Sequence, residues 1–167
     1  MSAREAILSA IRAAQVPASP PASTVARPIA ADDLLPQFLR VLSEVGGAGI
    51  VRSAHQTVAS ILADTLPPDA EGVVIARGRF GVAENAAVYV DAADIDARAD
   101  IIRAEHLVLL LPVTALVPTM HEAVRRMPEN SACGWFLSGP SKTADIEQAL
   151  VIGAQGARTL HVILEPA

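Results

Sequence analysis

The sequence predicts an α/β fold in which helices cover both faces of an open, mostly parallel sheet. Apolar runs of strand length alternate with segments of helical periodicity along most of the chain, as in strands joined by helical crossovers. The run at residues 107–111 contains no polar residue, which is typical of a strand buried on both faces. Hydrophobic residues make up 51% of the chain and aromatic residues only 3%, so aliphatic side chains must fill the core.

The sequence predicts a division into an N-terminal region, residues 1–30, and a single α/β domain, residues 31–167. Residues 2–15 predict an amphipathic helix that carries Ile7, Leu8 and Ile11 on one stripe. The proline-rich segment that follows, residues 17–28, predicts an extended linker. The helix is therefore an arm, and the sequence is compatible with its folding back on the domain or reaching toward a partner.

The first half of the domain predicts helices and short strands in alternation. In order, we expect a helix capped by Asp32 or Asp33, a strand at 49–51, a helix capped by Ser53, a strand at 73–76, and a hairpin or bulged edge at 80–91. Gly46 and Gly47 end the first helix, and Pro67 ends the second. The hairpin would turn at Glu84 and Asn85.

The second half continues the alternation. We expect a short helix at 97–105, a buried strand at 107–111, a helix at 118–127, a buried strand at 135–137, a helix from Thr143 and a last strand at 159–164. Pro118 suits the first turn of its helix. Cys133 precedes an apolar strand, so we expect a buried structural thiol.

The most polar loop of the chain follows the strand at 135–137. It contains three hydroxyls, a lysine and a glycine: Ser138, Gly139, Ser141, Lys142 and Thr143. If a parallel strand leads here into a helix that begins with Asp145 and Glu147, backbone N–H groups and the helix dipole converge on the loop. The loop is therefore either a site for a small anion or organic acid, or an ordinary connection whose carboxylates only start the helix. It matches neither the P-loop nor the dinucleotide fingerprint.

Composition excludes several classes of function. The net charge of −5 and the isoelectric point near 5.3 disfavour nucleic acid and anionic membrane surfaces as partners. A single cysteine excludes an internal disulfide and a cysteine-ligated metal or iron–sulfur cluster. The four histidines are scattered, so we expect no metal and no cofactor, and we expect His106 and His161 to be hydrogen-bonded structural residues. Without an apolar run of membrane-spanning length or a signal peptide, the chain is expected to be cytoplasmic.

Glu84 is the one carboxylate in a weakly polar β segment. Its side chain faces either solvent or a site, and a desolvated carboxylate there would serve as a general base. Spacing alone does not choose between the two.

The loop and the segments that follow it resemble a known family. Residues 138–147, followed by residues 150–153, Gly156 and residues 160–164, closely resemble the C-terminal signature of the LUD domain, which defines the lactate-utilisation protein C family. Residues 80–84 and 117–119 are similar to further family segments. After Ala83 and Glu84 the family pattern is a hydroxyl residue, glycine and another hydroxyl residue, whereas this chain has Asn85, Ala86 and Ala87.

The resemblance implies a fold similar to the NagB/RpiA/CoA-transferase type and a non-redox role beside iron–sulfur partner subunits that oxidise L-lactate. Its implied site is formed by Glu84, Ser138, Gly139, Ser141, Thr143, Asp145 and Glu147. Two alternatives remain open: a stand-alone enzyme that acts on a sugar phosphate or acyl-CoA through Glu84, and a structural interaction protein that docks through its N-terminal helix. The sequence also leaves open a homo-oligomer.

Overall fold

The computed structural model describes residues 2–14, 29–95, 98–129, 131–143 and 150–166. Its helices are α1 (Ala3–Ala13), α2 (Leu34–Glu44), α3 (Val58–Thr65), α4 (Arg98–Arg103) and α5 (Met120–Arg126). Its strands are β1 (Ala48–Val51), β2 (Val73–Arg77), β3 (Phe80–Val82), β4 (Val88–Asp91), β5 (His106–Pro112), β6 (Leu116–Val117), β7 (Gly134–Leu137), β8 (Lys142–Thr143), β9 (Val151–Ile152) and β10 (Thr159–Glu165).

A four-stranded parallel sheet in the order β1-β10-β5-β2 forms the centre of the domain. Its two middle strands, β5 and β10, are the apolar runs that predicted buried strands. Successive residues of a strand face opposite sides, so Leu109 packs with Phe38 and Leu42 of α2, whereas Leu110 packs with Ile61 of α3. Helices therefore cover both faces of a parallel sheet, and the predicted fold class is confirmed.

A second four-stranded sheet, in the order β6-β3-β4-β7, packs over the α2 face of the first. β3 and β4 are antiparallel and turn at residues 83–85, which confirms the predicted hairpin. The outer face of this sheet holds a stack of Phe80 on Tyr89 with ring centroids 4.9 Å apart, covered by Ala123 of α5. Three of the five aromatic residues of the chain, Phe80, Tyr89 and Phe136, gather in this second core.

The strand that precedes the polar loop differs from the prediction in two ways. β7 runs antiparallel to β4 at the edge of the second sheet, so it is not a strand of the parallel sheet. Its residues Trp135, Phe136 and Leu137 are half-buried rather than buried, because a sheet edge is covered on fewer sides. Cys133, just before β7, is exposed, which corrects the expectation of a buried thiol.

The helix predicted from Thr143 falls largely on residues 144–149, which lie outside the described residues, and the residues on either side of them form strands. Thr143 pairs with Val151 and Lys142 with Ile152 in a two-stranded antiparallel sheet, where β-branched residues are favoured over helix. Gly153 then takes a φ of 81°, which breaks the chain direction. The positions of Asp145 and Glu147, assigned to the start of that helix, lie outside the described residues.

The expected N-cap of α3 and the expected hydrogen bond of His161 are also corrected. The cap of α3 is Thr57, whose side chain accepts from Ser60 N–H, and not Ser53, because α3 begins later than its apolar pattern suggested. His106 is hydrogen-bonded as expected, with Nδ1 2.8 Å from Thr159 Oγ1. Within the described part of the chain, His161 Nδ1 is buried without a hydrogen-bond partner.

Candidate functional site

The polar loop lies at the amino ends of the parallel strands and not at their carboxyl ends. Ser141 N–H donates to the carbonyl of Ala157 over 2.8 Å, just before β10 begins. Lys142 Nζ donates to the carbonyl of Val45 over 2.5 Å, just before β1 begins. The condition that a parallel strand leads into the loop is therefore not met, because β7 is an antiparallel strand of the second sheet.

Gly139 fixes how closely the loop approaches α2. Its φ is +73°, and a Cβ built on it would lie 2.6 Å from the Val45 carbonyl oxygen. A side chain there would meet backbone and also require a left-handed conformation that L-residues avoid. Gly139 and Lys142 therefore hold the loop against the same carbonyl from two positions.

A cavity of about 430 Å³ lies between this loop and the core, within the size range of small-molecule sites. Its apolar side is formed by α4, β7 and the first residues of β5 and β10: Ile101, Ile102, Leu107, Trp135, Phe136, Leu137 and Leu160. Its polar side is formed by residues 138–143 and 155–157. Five of the predicted ligand-binding residues, Ser138, Gly139, Ser141, Lys142 and Thr143, thus line one cavity.

Lys142 is the one charged residue among the described residues that line this cavity. Its ammonium has three donors, of which one is directed to Val45. The backbone of Ser141 is held on both sides, since its carbonyl also accepts from Gly153 N–H over 2.9 Å. The lining therefore combines two hydroxyl residues, Ser141 and Thr143, with one positively charged residue, a composition that suits a small anion or an organic acid.

Glu84 lines a different cavity. Its Oε2 accepts from Met120 N–H over 2.9 Å, so the carboxylate satisfies a free N–H at the first turn of α5. The side chain is exposed and lies on the rim of a second cavity of about 670 Å³, together with Asp33 and Arg40. Arg40 is paired with Glu44, so this second cavity is a poor site for an anion.

One hydrogen bond joins the two regions. Ser138 Oγ donates to the carbonyl of Asn85 over 2.7 Å, and Asn85 Oδ1 accepts from Ala87 N–H over 3.1 Å. Ser138 is thus adjacent to the turn that carries Glu84, while the Glu84 carboxylate and the loop hydroxyls line separate cavities.

Ala86 in the same turn has a φ of 54° and is fully buried. It is the one non-glycine residue of the described chain with a positive φ. The family pattern has glycine at this position, and glycine adopts a positive φ without cost. Alanine keeps this backbone conformation here, so the substitution adds strain but does not change the path of the chain.

Sequence reasoning missed the apolar side of the loop cavity. Trp135 and Leu137 stand opposite Val90 and Val88, so they face the main core together and form one wall of the cavity. The alternation of side chains along β7 was the available signal. Ile101 and Ile102 of α4 come from a distant part of the chain, and nothing local in the sequence indicated them.

The described ranges contain no cluster of three or more His, Cys, Asp or Glu side chains placed to hold a metal ion. Among the helices of those ranges, none has the length and apolar character needed to cross a membrane.

Comparison with protein families gives a match to the LUD domain over residues 70–164, more than half of the chain. Two proteins similar in sequence are named Lactate utilization protein C 1, from Bacillus mycoides, and Lactate utilization protein C, from Halalkalibacterium halodurans. The first is 35% identical over 69 residues, 36% of this chain and 30% of the relative. The second is 34% identical over 68 residues, with the same two shares. The chain therefore spans less than a third of the length of these relatives.

The fold is similar to the crystal structure of a DUF162 family protein from Deinococcus radiodurans. The TM-score is 0.58 at 16% sequence identity, and the similarity covers 83% of this chain and 99% of that one. At this identity the likeness concerns the fold, and it agrees with the layered arrangement described above.

Proposed function

The chain belongs to the LUD domain family, and from this we propose that it serves in L-lactate utilisation as a non-redox subunit or accessory protein that binds a small organic acid in the loop cavity. The observation that carries the proposal is the cavity itself. Its lining includes the described part of the family's C-terminal signature, Ser138 to Thr143, which supplies one lysine and three hydroxyl residues. A carboxylate would accept hydrogen bonds from Lys142, Ser141 and Thr143.

Charge supports this cavity over the second one. Lys142 gives the described lining of the loop cavity a positive charge, whereas Glu84 and Asp33 oppose an anion in the cavity beside α2. A ligand carboxylate placed beside Glu84 would be repelled, because two negative charges at short distance raise the electrostatic energy. The acid therefore belongs beside residues 138–143.

A thermal-shift panel with L-lactate, pyruvate, acetate and sulfate tests the ligand. A ligand at about a hundred times its dissociation constant adds about 2.7 kcal/mol of stability, so L-lactate or pyruvate should raise the melting temperature. Ser141→Ala and Thr143→Ala should each reduce the shift, and Ser9→Ala, which changes an exposed serine of α1, should not. A panel without any shift would contradict the proposal.

The partner subunits supply the redox chemistry in this proposal. The chain has one cysteine, too few to ligate an iron–sulfur cluster, so in this proposal the clusters belong to other subunits. Co-expression with the iron–sulfur subunits of a lactate-oxidising system from the same genome should give a complex that co-purifies. If the co-expressed proteins instead purify separately, the chain is not a stable subunit of such a complex.

The exposed stripe of α1 favours that helix as the docking element. Ile7 and Ile11 are 61% and 58% exposed, and the helix has no buried residue. Deletion of residues 1–28 should then abolish co-purification while it leaves the thermal shift with organic acids in place. Ile7→Glu is the milder test, with Ser9→Glu as a matched change at an exposed position on the opposite face of α1.

A further inference from the structure

We propose that the acid bound in the loop cavity carries an aromatic or branched aliphatic group, which packs against Trp135 and Ile102. This inference rests on the proposed function and specifies the class of acid. Lactate and pyruvate have three carbons, whereas the cavity of about 430 Å³ has space for a considerably larger molecule.

The lining of the cavity is divided by chemistry. Leu107 and Leu160 are each 2% exposed, and they form an apolar floor that continues into the main core. The polar residues of the loop, 138–143, line another part of the same cavity. A small hydrophilic acid would form hydrogen bonds with the polar residues but would leave the apolar floor and walls of the cavity without a contact.

Two side chains form the wall that such a group would contact. Trp135 is half-buried and packs partly against the main core, so one part of its indole is covered and another lines the cavity. Ile102 of α4 is 56% exposed and also lines the cavity. Large apolar side chains that stay accessible beside a cavity are typical of a site that buries an apolar group, and indole prefers to stack on planar groups.

The charge of the cavity orients the ligand. The carboxylate would lie at Lys142 and Ser141, because these supply an ammonium group and a hydroxyl carried on a pinned backbone. The apolar group would then extend toward α4 and β7, away from the polar loop. The ligand is therefore an amphipathic acid whose carboxylate and side chain lie at opposite ends of the cavity.

A matched pair of acids tests the inference: L-lactate and L-3-phenyllactate, which share the same hydroxy-acid group and differ by a phenyl ring. Calorimetry gives the two affinities, and Trp135, the one tryptophan of the chain, reports the ring directly by its fluorescence. Phenyllactate should bind at least about tenfold tighter than lactate, because its ring leaves water for an apolar wall, and it should change the Trp135 emission.

Variants at exposed isoleucines provide the control. Ile102→Glu places a carboxylate at the wall and should weaken phenyllactate at least about tenfold. Ile75→Glu changes an isoleucine of similar exposure, 48%, on β2. Its neighbour in register is Val108, which faces α3, so this variant should bind phenyllactate as the unaltered protein does.

The outcomes separate the two proposals. Equal affinities for the two acids, or an unchanged Trp135 emission, overturn the apolar wall, while lactate binding that still depends on Ser141 preserves the proposed function. Phenyllactate binding that is lost in Ile102→Glu but unaffected by Ser141→Ala, with no binding of lactate, overturns the acid site instead.

Discussion

Ser138 Oγ lies 2.7 Å from the carbonyl oxygen of Asn85 and donates a hydrogen bond to it. This contact joins the loop after β7 to the turn between β3 and β4, 53 residues apart in the chain. The loop belongs to the family's C-terminal signature, and Asn85 directly follows residues 80–84, which are similar to another family segment. The bond makes the loop and the turn one structural unit. The turn thereby supports the polar side of the cavity.

Ser138→Ala should lower the free energy of unfolding by about 1 kcal/mol, the usual net contribution of one hydrogen bond. Because the loop is also anchored through Ser141 and Lys142, the variant should fold and retain the cavity. Urea denaturation measures the change, with Ser9→Ala as the control for loss of an exposed hydroxyl. A change smaller than about 0.3 kcal/mol would show that the contact does not stabilise the turn.

Ala86 provides a test of strain in the same turn. Ala86→Gly relieves a left-handed conformation that costs about 1–2 kcal/mol, but it loses a buried methyl worth about 0.8 kcal/mol and loosens the unfolded chain by about 0.4–1 kcal/mol. These effects nearly cancel, so stability should change by less than about 1 kcal/mol. Ala86→Val adds volume and a β-branch at the same φ, and should destabilise by more than about 2 kcal/mol.

The pH dependence of stability should show the buried imidazole of His161. Burial lowers the pKa of His161, and the nearby charge of His106 lowers it further. As pH falls below about 6.5, the unfolded chain therefore takes up a proton that the folded chain resists. The contribution of His161 to stability is fully present well above about pH 6.5 and is progressively lost as the pH falls through that value.

His161→Leu should remove part of that decrease, and it should be tolerated at pH 7, because it replaces a buried unpartnered nitrogen by an apolar group. Asp91 does not affect the comparison of the unaltered protein with His161→Leu. The hydrogen bond from Ala93 N–H lowers the pKa of Asp91 below its ordinary value of 3.8, so its contribution is lost only in more acidic solution. Chemical denaturation at pH 5, 6 and 7 gives the slopes, and parallel slopes for the two proteins would contradict this account of His161.

Lys142 should determine how strongly binding of an acid depends on salt. Lys142→Met should weaken L-lactate about tenfold, because a charge-assisted hydrogen bond is lost, and should flatten the dependence of affinity on ionic strength. Lys142→Arg keeps the charge and should retain both properties more closely. An affinity that is the same in all three proteins would exclude Lys142 as a ligand contact.

The parts of the fold that the sequence predicted well are those specified by local patterns. The central strands β5 and β10 are uninterrupted apolar runs, and the hairpin at Glu84 and Asn85 has turn residues between extended segments. The polar loop was also identified, because its hydroxyls and lysine are contiguous. These residues line the same cavity because they are adjacent in the chain.

The parts that could not be predicted depend on contacts between distant segments. The apolar run of β7 reads the same in a parallel or an antiparallel sheet, so its placement beside β4 was not available. Lys142 and Ile152 pair across ten residues, although the intervening pattern favoured a helix. The unpartnered nitrogen of His161 results from α3 covering that face of the sheet, which no local pattern encodes.

The most direct test of the central claim is a calorimetric titration of L-lactate into the unaltered protein, Ser141→Ala and Ser9→Ala. Ser141→Ala leaves both backbone hydrogen bonds of the loop in place, so it removes only the hydroxyl from the cavity. We expect saturable binding that weakens about fivefold to tenfold in Ser141→Ala and is unchanged in Ser9→Ala. Binding of equal strength in all three proteins would place the acid elsewhere and contradict the assignment of the loop cavity.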